Sequence, residues 1–275
     1  MRATSLVIAV LLGGCERPDA LVICHNANCV EPADPEQDDT LDALRESLAL
    51  EQAGRPVIDG VEIDTFWRGE DGVCLYAHDL DRDQTPAIEP ANELAAYFAR
   101  SGPITFGDNP FHVFLELKSH VSADKRDVHT PAERDLHAAC AWQLYTVIAD
   151  AAVANDRDVV VLFSAFAPDL LRSVIAQTPS VTPIPVRYGA IQGVPAPLDN
   201  QTRPLDEYAG IPLDLVEFHA QWILDAQYEG VVSSGLDLAV FMFSATAETF
   251  AVIEQYEPSM IVTSEARLIR RWLER

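Results

Sequence analysis

Val159-Val160-Val161-Leu162-Phe163 is an unbroken apolar run with no polar position to face water. A half-exposed strand alternates apolar and polar residues, whereas a strand covered by helices on both faces of a parallel sheet does not. Working outward, strand-like segments recur at Leu21–His25, Gly60–Asp64, Val73–His78, His112–Lys118, Asp158–Phe163, Pro183–Arg187, Leu213–Phe218, Leu236–Phe243 and Met260–Thr263. Helical patterns fill most of the spaces between them. One opens Thr130-Pro131-Ala132-Glu133, with the spacing of a capping box and proline at its first position, and carries apolar residues through Ala154. Another is expected from Asp39-Thr40 to Gly54, where glycine suits a left-handed cap. Repeated strand and helix implies an α/β protein. Eight or so such units, with no GxGxxG after the first strand, predict a TIM (β/α)8 barrel rather than an open doubly wound sheet.

The chain has 275 residues, 48% hydrophobic and 23% charged, enough for a full-sized core and far from the composition of a disordered chain. Its formal net charge of −24 leaves no basic surface to neutralise phosphates along a nucleic acid, so no nucleic-acid partner is expected. The run Leu6–Leu12 is too short to span a bilayer as a helix, which needs about 20 residues. It follows Met1-Arg2-Ala3-Thr4-Ser5 and ends in Leu12-Gly13-Gly14-Cys15, a pattern similar to a bacterial lipoprotein signal. This predicts a signal peptide over residues 1–14, acylation of Cys15, a tether over 15–20 and one domain over 21–275. Several acyl chains would anchor the protein stably in a bacterial envelope membrane, as a monomer facing the periplasm or the outer surface. Cys24, Cys29, Cys74 and Cys140 remain as an even set in a compartment that permits disulfides, and sequence leaves their three pairings open.

Polar residues at the ends of apolar strands are where a barrel carries its chemistry. His25 closes the first strand. In Val61-Glu62-Ile63-Asp64 the alternation sends both carboxylates to one face, about 7 Å apart, where they repel unless a cation lies between them. Phe114-Leu115-Glu116-Leu117-Lys118 repeats the pattern, and its apolar positions are too large for an exposed edge. A buried Glu116 and Lys118 then need partners, either each other or a ligand. Tyr76-Ala77-His78-Asp79 ends the strand between them. His112, His129, His137 and His219 read as surface or structural. His120, two residues past Lys118, is placed to line the mouth of the same site.

The order His25, Gly60-Val61-Glu62-Ile63-Asp64, then Asp71 through His78-Asp79, then Leu115-Glu116-Leu117-Lys118 resembles the glycerophosphodiester phosphodiesterases, within the phosphatidylinositol-phospholipase-C-like superfamily. Phe163-Ser164-Ala165-Phe166 is similar to their Ser-Ser-Phe strand, so the resemblance runs from Leu21 to the C-terminus and is most specific in the first third. It implies that Glu62, Asp64 and Glu116 ligate one divalent cation, Mg²⁺ or Ca²⁺. It also implies that His25 and His78 act as general base and general acid, and that Lys118 holds phosphate charge. The substrate would be a small phosphodiester, often attacked by a neighbouring hydroxyl of its own alcohol so that a cyclic phosphate forms before water opens it.

Two departures bear on substrate. Relatives read His-Arg-Gly where this chain has His25-Asn26-Ala27, and an amide supplies neither the charge nor the bidentate grip of arginine. His25-Asn26-Ala27-Asn28 looks more like the His-x-x-Asn of the related phospholipases D, which act on sphingomyelin and lysophospholipids, and places Asn26 and Asn28 with His120 as substrate-binding candidates. The Trp-Thr-Val-Asn strand end of the family is replaced by Met242-Phe243-Ser244-Ala245. A phospholipase-D-like activity on a lysophospholipid, and a surface lipoprotein that binds a cation or partner without catalysis, are the alternative readings.

Overall fold

The computed structural model describes residues 19–31, 34–77, 85–118, 129–193 and 202–275. Eight parallel strands form the barrel in sequence order: β1 (Leu21–Cys24), β2 (Gly60–Arg68), β3 (Phe111–Lys118), β4 (Val159–Ala165), β5 (Val186–Gln192), β6 (Leu215–His219), β7 (Asp237–Met242) and β8 (Met260–Thr263). The barrel closes where β1 pairs with β8, Leu21 opposite Met260, and with β2, Ile23 opposite Gly60. Gly60 is required at that closure, because a Cβ there would meet the carbonyl oxygen of His112 at 2.2 Å. The expected α/β class and TIM barrel are therefore what the chain adopts.

Helices α1 (Leu41–Leu48), α2 (Ile88–Phe98), α3 (Pro131–Ala154), α4 (Pro168–Ala176), α5 (Asp225–Ser233), α6 (Ala247–Tyr256) and α7 (Ala266–Leu273) follow the strands in turn, with a 3-10 turn at Leu205–Tyr208 after β5. α3 carries the predicted capping box, in which the Glu133 N–H donates to Thr130 Oγ1 at 3.3 Å and the Thr130 N–H donates to Glu133 Oε2 at 2.8 Å. Among the described residues no helix is long and apolar enough to cross a membrane.

Three expectations are corrected. The segment predicted as a strand over Val73–His78 forms Val73–Tyr76, which pairs antiparallel with β2 and stands outside the barrel. Its neighbour in sequence is β2 itself, joined by a turn with Gly72 at φ +67°, so no crossover helix separates the two. The helix expected to run to Gly54 stops at Leu48, and Gly54, at φ +75°, makes the turn of a small hairpin between Glu51–Gln52 and Arg55–Pro56. β5 starts after Pro183 and Pro185 rather than on them, as proline lacks the N–H a central strand donates.

The core has two compartments. Ile23, Phe114, Leu162, Leu215, Ala239 and Met260 fill the barrel interior, while a larger set including Val61, Leu115, Val161, Val240 and Ile261 packs between strands and helices. The odd–even alternation of each strand decides which compartment a residue enters. The disulfides are Cys24–Cys29 and Cys74–Cys140, which settles the open pairing. The first closes a loop over His25, Asn26 and Asn28, and the second ties the antiparallel strand to α3.

Candidate active site

Above the apolar plug of the barrel, the interior becomes charged at the C-terminal strand ends. Asp64 on β2 stands opposite Glu116 on β3, which stands opposite Ser164 on β4. Glu62, Asp64 and Glu116 are buried, and a carboxylate oxygen from each lies within 4.8 Å of the other two. This is a ready set of hard oxygen ligands for a divalent cation. Lys118 reaches back into the group, its Nζ 3.1 Å from Asp64 Oδ2 and 2.8 Å from Glu116 Oε1.

The electrostatics are those of crowded negative charge in a dry place. Burial, then the neighbouring Glu217 and Glu116, holds the Glu62 carboxyl well above the usual carboxylate range. Asp64 is raised in the same way by burial, with Lys118 opposing. Burial works against the charge of Lys118, but Asp64 and Glu116 beside it override that cost and raise its pKa. A cation added among these groups would offset the repulsion that holds protons on the carboxyls.

His25 sits at the rim on the 3-10 turn that follows β1. Its Nε2 is 3.8 Å from Glu62 Oε2, and its Nδ1 is 3.4 Å from Ser264 Oγ. The next residues, Asn26 and Ala27, take left-handed backbone conformations at φ 47° and 51°, which cost energy for a residue with a Cβ and are characteristic of functional loops. The Asn26 N–H donates to Glu62 Oε2 at 3.2 Å, so this loop also orients a candidate metal ligand.

The two asparagines predicted to bind substrate are engaged inside the loop. Asn28 Nδ2 donates to the Asp34 carbonyl at 2.8 Å and to Asp38 Oδ1 at 2.7 Å, and Asn26 Nδ2 donates to Asp38 Oδ2 at 3.4 Å. Asn28 is thereby a brace for the turn. His78, His120 and Cys15 lie outside the described residues.

Sequence reasoning missed several groups. Glu217, on β6, is buried with one carboxylate oxygen lacking a hydrogen bond, and burial followed by the charge of Glu116 pushes its pKa up to about 8. It is the lone charge in Leu215-Val216-Glu217-Phe218, the same signal that identified Glu116. His219 joins Phe241 and Phe243 in a ring cluster against His25, with the His25 and Phe243 centroids 5.1 Å apart. Phe243 is 57% exposed there, an apolar surface at the rim of the site. Asp39 and Tyr76 are buried beside Asp64, and a loop position such as Asp39 carries no periodicity to announce it. His137, read as structural, is structural: buried and held neutral with its pKa pushed down to about 3, it bonds Thr65 Oγ1 at 2.9 Å, and Thr65 donates onward to the Glu116 carbonyl.

No protein-family model matches the chain, and no curated protein matches its sequence. Solved structures do match over nearly the whole chain. A glycerophosphodiester phosphodiesterase from Parabacteroides distasonis is 13% identical, with a TM-score of 0.62 over 94% of this chain and 98% of that one. A phosphodiesterase from Oleispira antarctica, solved with the product sn-glycerol-3-phosphate, is 14% identical, with a TM-score of 0.58 over 93% of this chain and 97% of that one. A calcium-dependent phosphoinositol-specific phospholipase C from a Pseudomonas species is 12% identical, with a TM-score of 0.53 over 92% of both chains. At such identities the likeness is one of fold, and the chain has the barrel fold of glycerophosphodiester phosphodiesterases.

Proposed function

We propose that this chain is a metal-dependent phosphodiesterase of the glycerophosphodiester class. The observation that carries the reading is the convergence of Glu62, Asp64 and Glu116 with Lys118 in one buried cluster at the C-terminal barrel end. Glu62, Asp64 and Glu116 would hold one Mg²⁺ or Ca²⁺, which when bound polarises a phosphoryl oxygen. His25 takes the proton from the attacking hydroxyl, and the Ser264 hydroxyl near its Nδ1 helps to fix the ring. His78 delivers a proton to the leaving oxygen. Lys118, whose Nζ lies 3.1 Å from Asp64 Oδ2 and 2.8 Å from Glu116 Oε1, would supply positive charge to the phosphate.

The exposed face of Phe243 beside His25 favours a second reading, a substrate with an apolar tail cleaved in a phospholipase-D-like manner. Acylation of Cys15 would hold the site next to such lipids. Mass spectrometry of the mature N-terminus tests the anchor, and an unacylated Cys15 refutes it. Phosphorus NMR of a panel of glycerophosphodiesters and lysophospholipids, with Mg²⁺, Ca²⁺ or chelator, tests the activity. The proposal predicts metal-dependent loss of the diester signal, and a cyclic phosphate where a neighbouring hydroxyl attacks. Absence of any diester cleavage under all metal conditions leaves a binding protein instead.

A further inference from the structure

His25, His219, Phe241 and Phe243 form a closed group of four rings at the mouth of the site. The alternation that turns Ala239 into the barrel brings Phe241 to the same side, and Phe243 follows just past the end of β7. The His25 and Phe243 centroids are 5.1 Å apart with their planes at 84°, an edge-to-face contact, and the plane of Phe241 lies within 3° of parallel to His25 at 6.4 Å. Phe243 is backed in turn by His219 at 5.5 Å and by Phe241 at 6.2 Å. His219 is itself held. The Gln221 N–H donates to its Nδ1 at 3.2 Å, which leaves the proton of the neutral ring on Nε2, and Phe241 stands edge to face with it at 4.9 Å.

Phe243 is 57% exposed, so burial of its own surface does not explain its place. Scattered exposed apolar residues are ordinary, but this one packs against three rings, and one of them is the candidate base. A histidine ring turns readily about its Cβ–Cγ bond, where the torsion is broad, whereas a base must keep one nitrogen toward the proton it removes. The contacts of Nε2 with Glu62 Oε2 at 3.8 Å and of Nδ1 with Ser264 Oγ at 3.4 Å are longer than a good hydrogen bond and do not by themselves hold the plane of the ring. The edge-to-face contact does, because tilting the imidazole gives it up. With the plane fixed, Nε2 stays directed at the acidic cluster.

We propose that Phe243 is a positioning residue for His25, fixing the plane of its imidazole. This rests on the reading of His25 as the general base, and it differs from a role of Phe243 as a wall for an apolar tail. Phe243→Ala should lower kcat about tenfold on glycerophosphocholine, a diester with no apolar tail, with KM little changed, and Phe243→Tyr should restore it. A KM increase confined to lysophospholipid, with kcat on glycerophosphocholine unchanged, makes Phe243 a substrate wall and overturns the proposal. Long-range proton–nitrogen NMR spectra of the full chain, at a pH where imidazoles are neutral and with His25 assigned by its loss in His25→Gln, give a readout independent of turnover. Wild type should show His25 as a single Nδ1-protonated tautomer, and Phe243→Ala should show a mixture of tautomers. Identical His25 signals in the two proteins overturn the proposal whether or not a diester is cleaved. A tautomer change in a protein that cleaves no diester upholds Phe243 as the support of the ring and overturns instead the reading of the site as a phosphodiesterase.

Discussion

Glu217 shows what the site costs when it lacks a counter-charge. Its folded pKa of about 8 exceeds the ordinary 4.5, so the folded chain keeps a proton that the unfolded chain releases between those values. Stability from this group is complete below pH 4.5 and is lost as pH rises toward 8, and Glu62, Asp64 and Asp39 shift in the same direction. His112 and His137, depressed to about 4 and 3, act oppositely: their contribution is present above pH 6.5 and lost on acidification below it. In chelator, the melting temperature should therefore fall from pH 6.5 to 8, and Glu217→Gln should flatten that slope. A flat wild-type profile over this interval contradicts the buried-carboxylate account. Glu62, Asp64, Glu116 and Lys118 were legible in the sequence because alternation in an apolar strand forces them inward. Asp39, Tyr76 and the ring cluster at His25 were not, since their positions depend on how loops from distant strands meet.

At the scale of elements, the loop after β1 does the most for the site. It carries His25, holds two successive left-handed residues and orients Glu62, while the Cys24–Cys29 disulfide joins its ends. Replacing both cysteines by alanine should lower kcat by about tenfold or more through misplacement of His25, with a smaller effect on KM. Circular dichroism should show the barrel retained. Equal kcat in the double variant removes the loop's disulfide from the positioning of the site. The same scale explains the limits of the sequence reading. Apolar runs and the Thr130 capping box located strands and α3 well, but a hairpin arm such as Val73–Tyr76 has the same composition as a barrel strand. Only pairing distinguishes them, and pairing is a long-range property.

For the whole molecule, the proposed metal site would make folding and metal binding one equilibrium, because Glu62, Asp64 and Glu116, which repel one another, are the carboxylates that would share the cation. A cation at a hundredfold its dissociation constant should stabilise the fold by about 2.7 kcal/mol. Calorimetry should show that increment with Mg²⁺ or Ca²⁺ and its loss in Glu62→Gln, whereas an unchanged melting temperature with added metal counts against a site at this cluster. The barrel itself also positions the chemistry: apolar side chains plug its interior, and the charged layer sits on that plug at the C-terminal strand ends. The most direct measurement is turnover of a glycerophosphodiester by the full chain, followed by phosphorus NMR across a titration of Mg²⁺ or Ca²⁺, for wild type and Glu116→Gln. The account predicts cleavage that rises with metal, vanishes in chelator and drops at least ~10²-fold in the variant, the scale of losing one catalytic electrostatic group. Cleavage that persists in chelator and in Glu116→Gln, or no cleavage at any metal concentration, would contradict it.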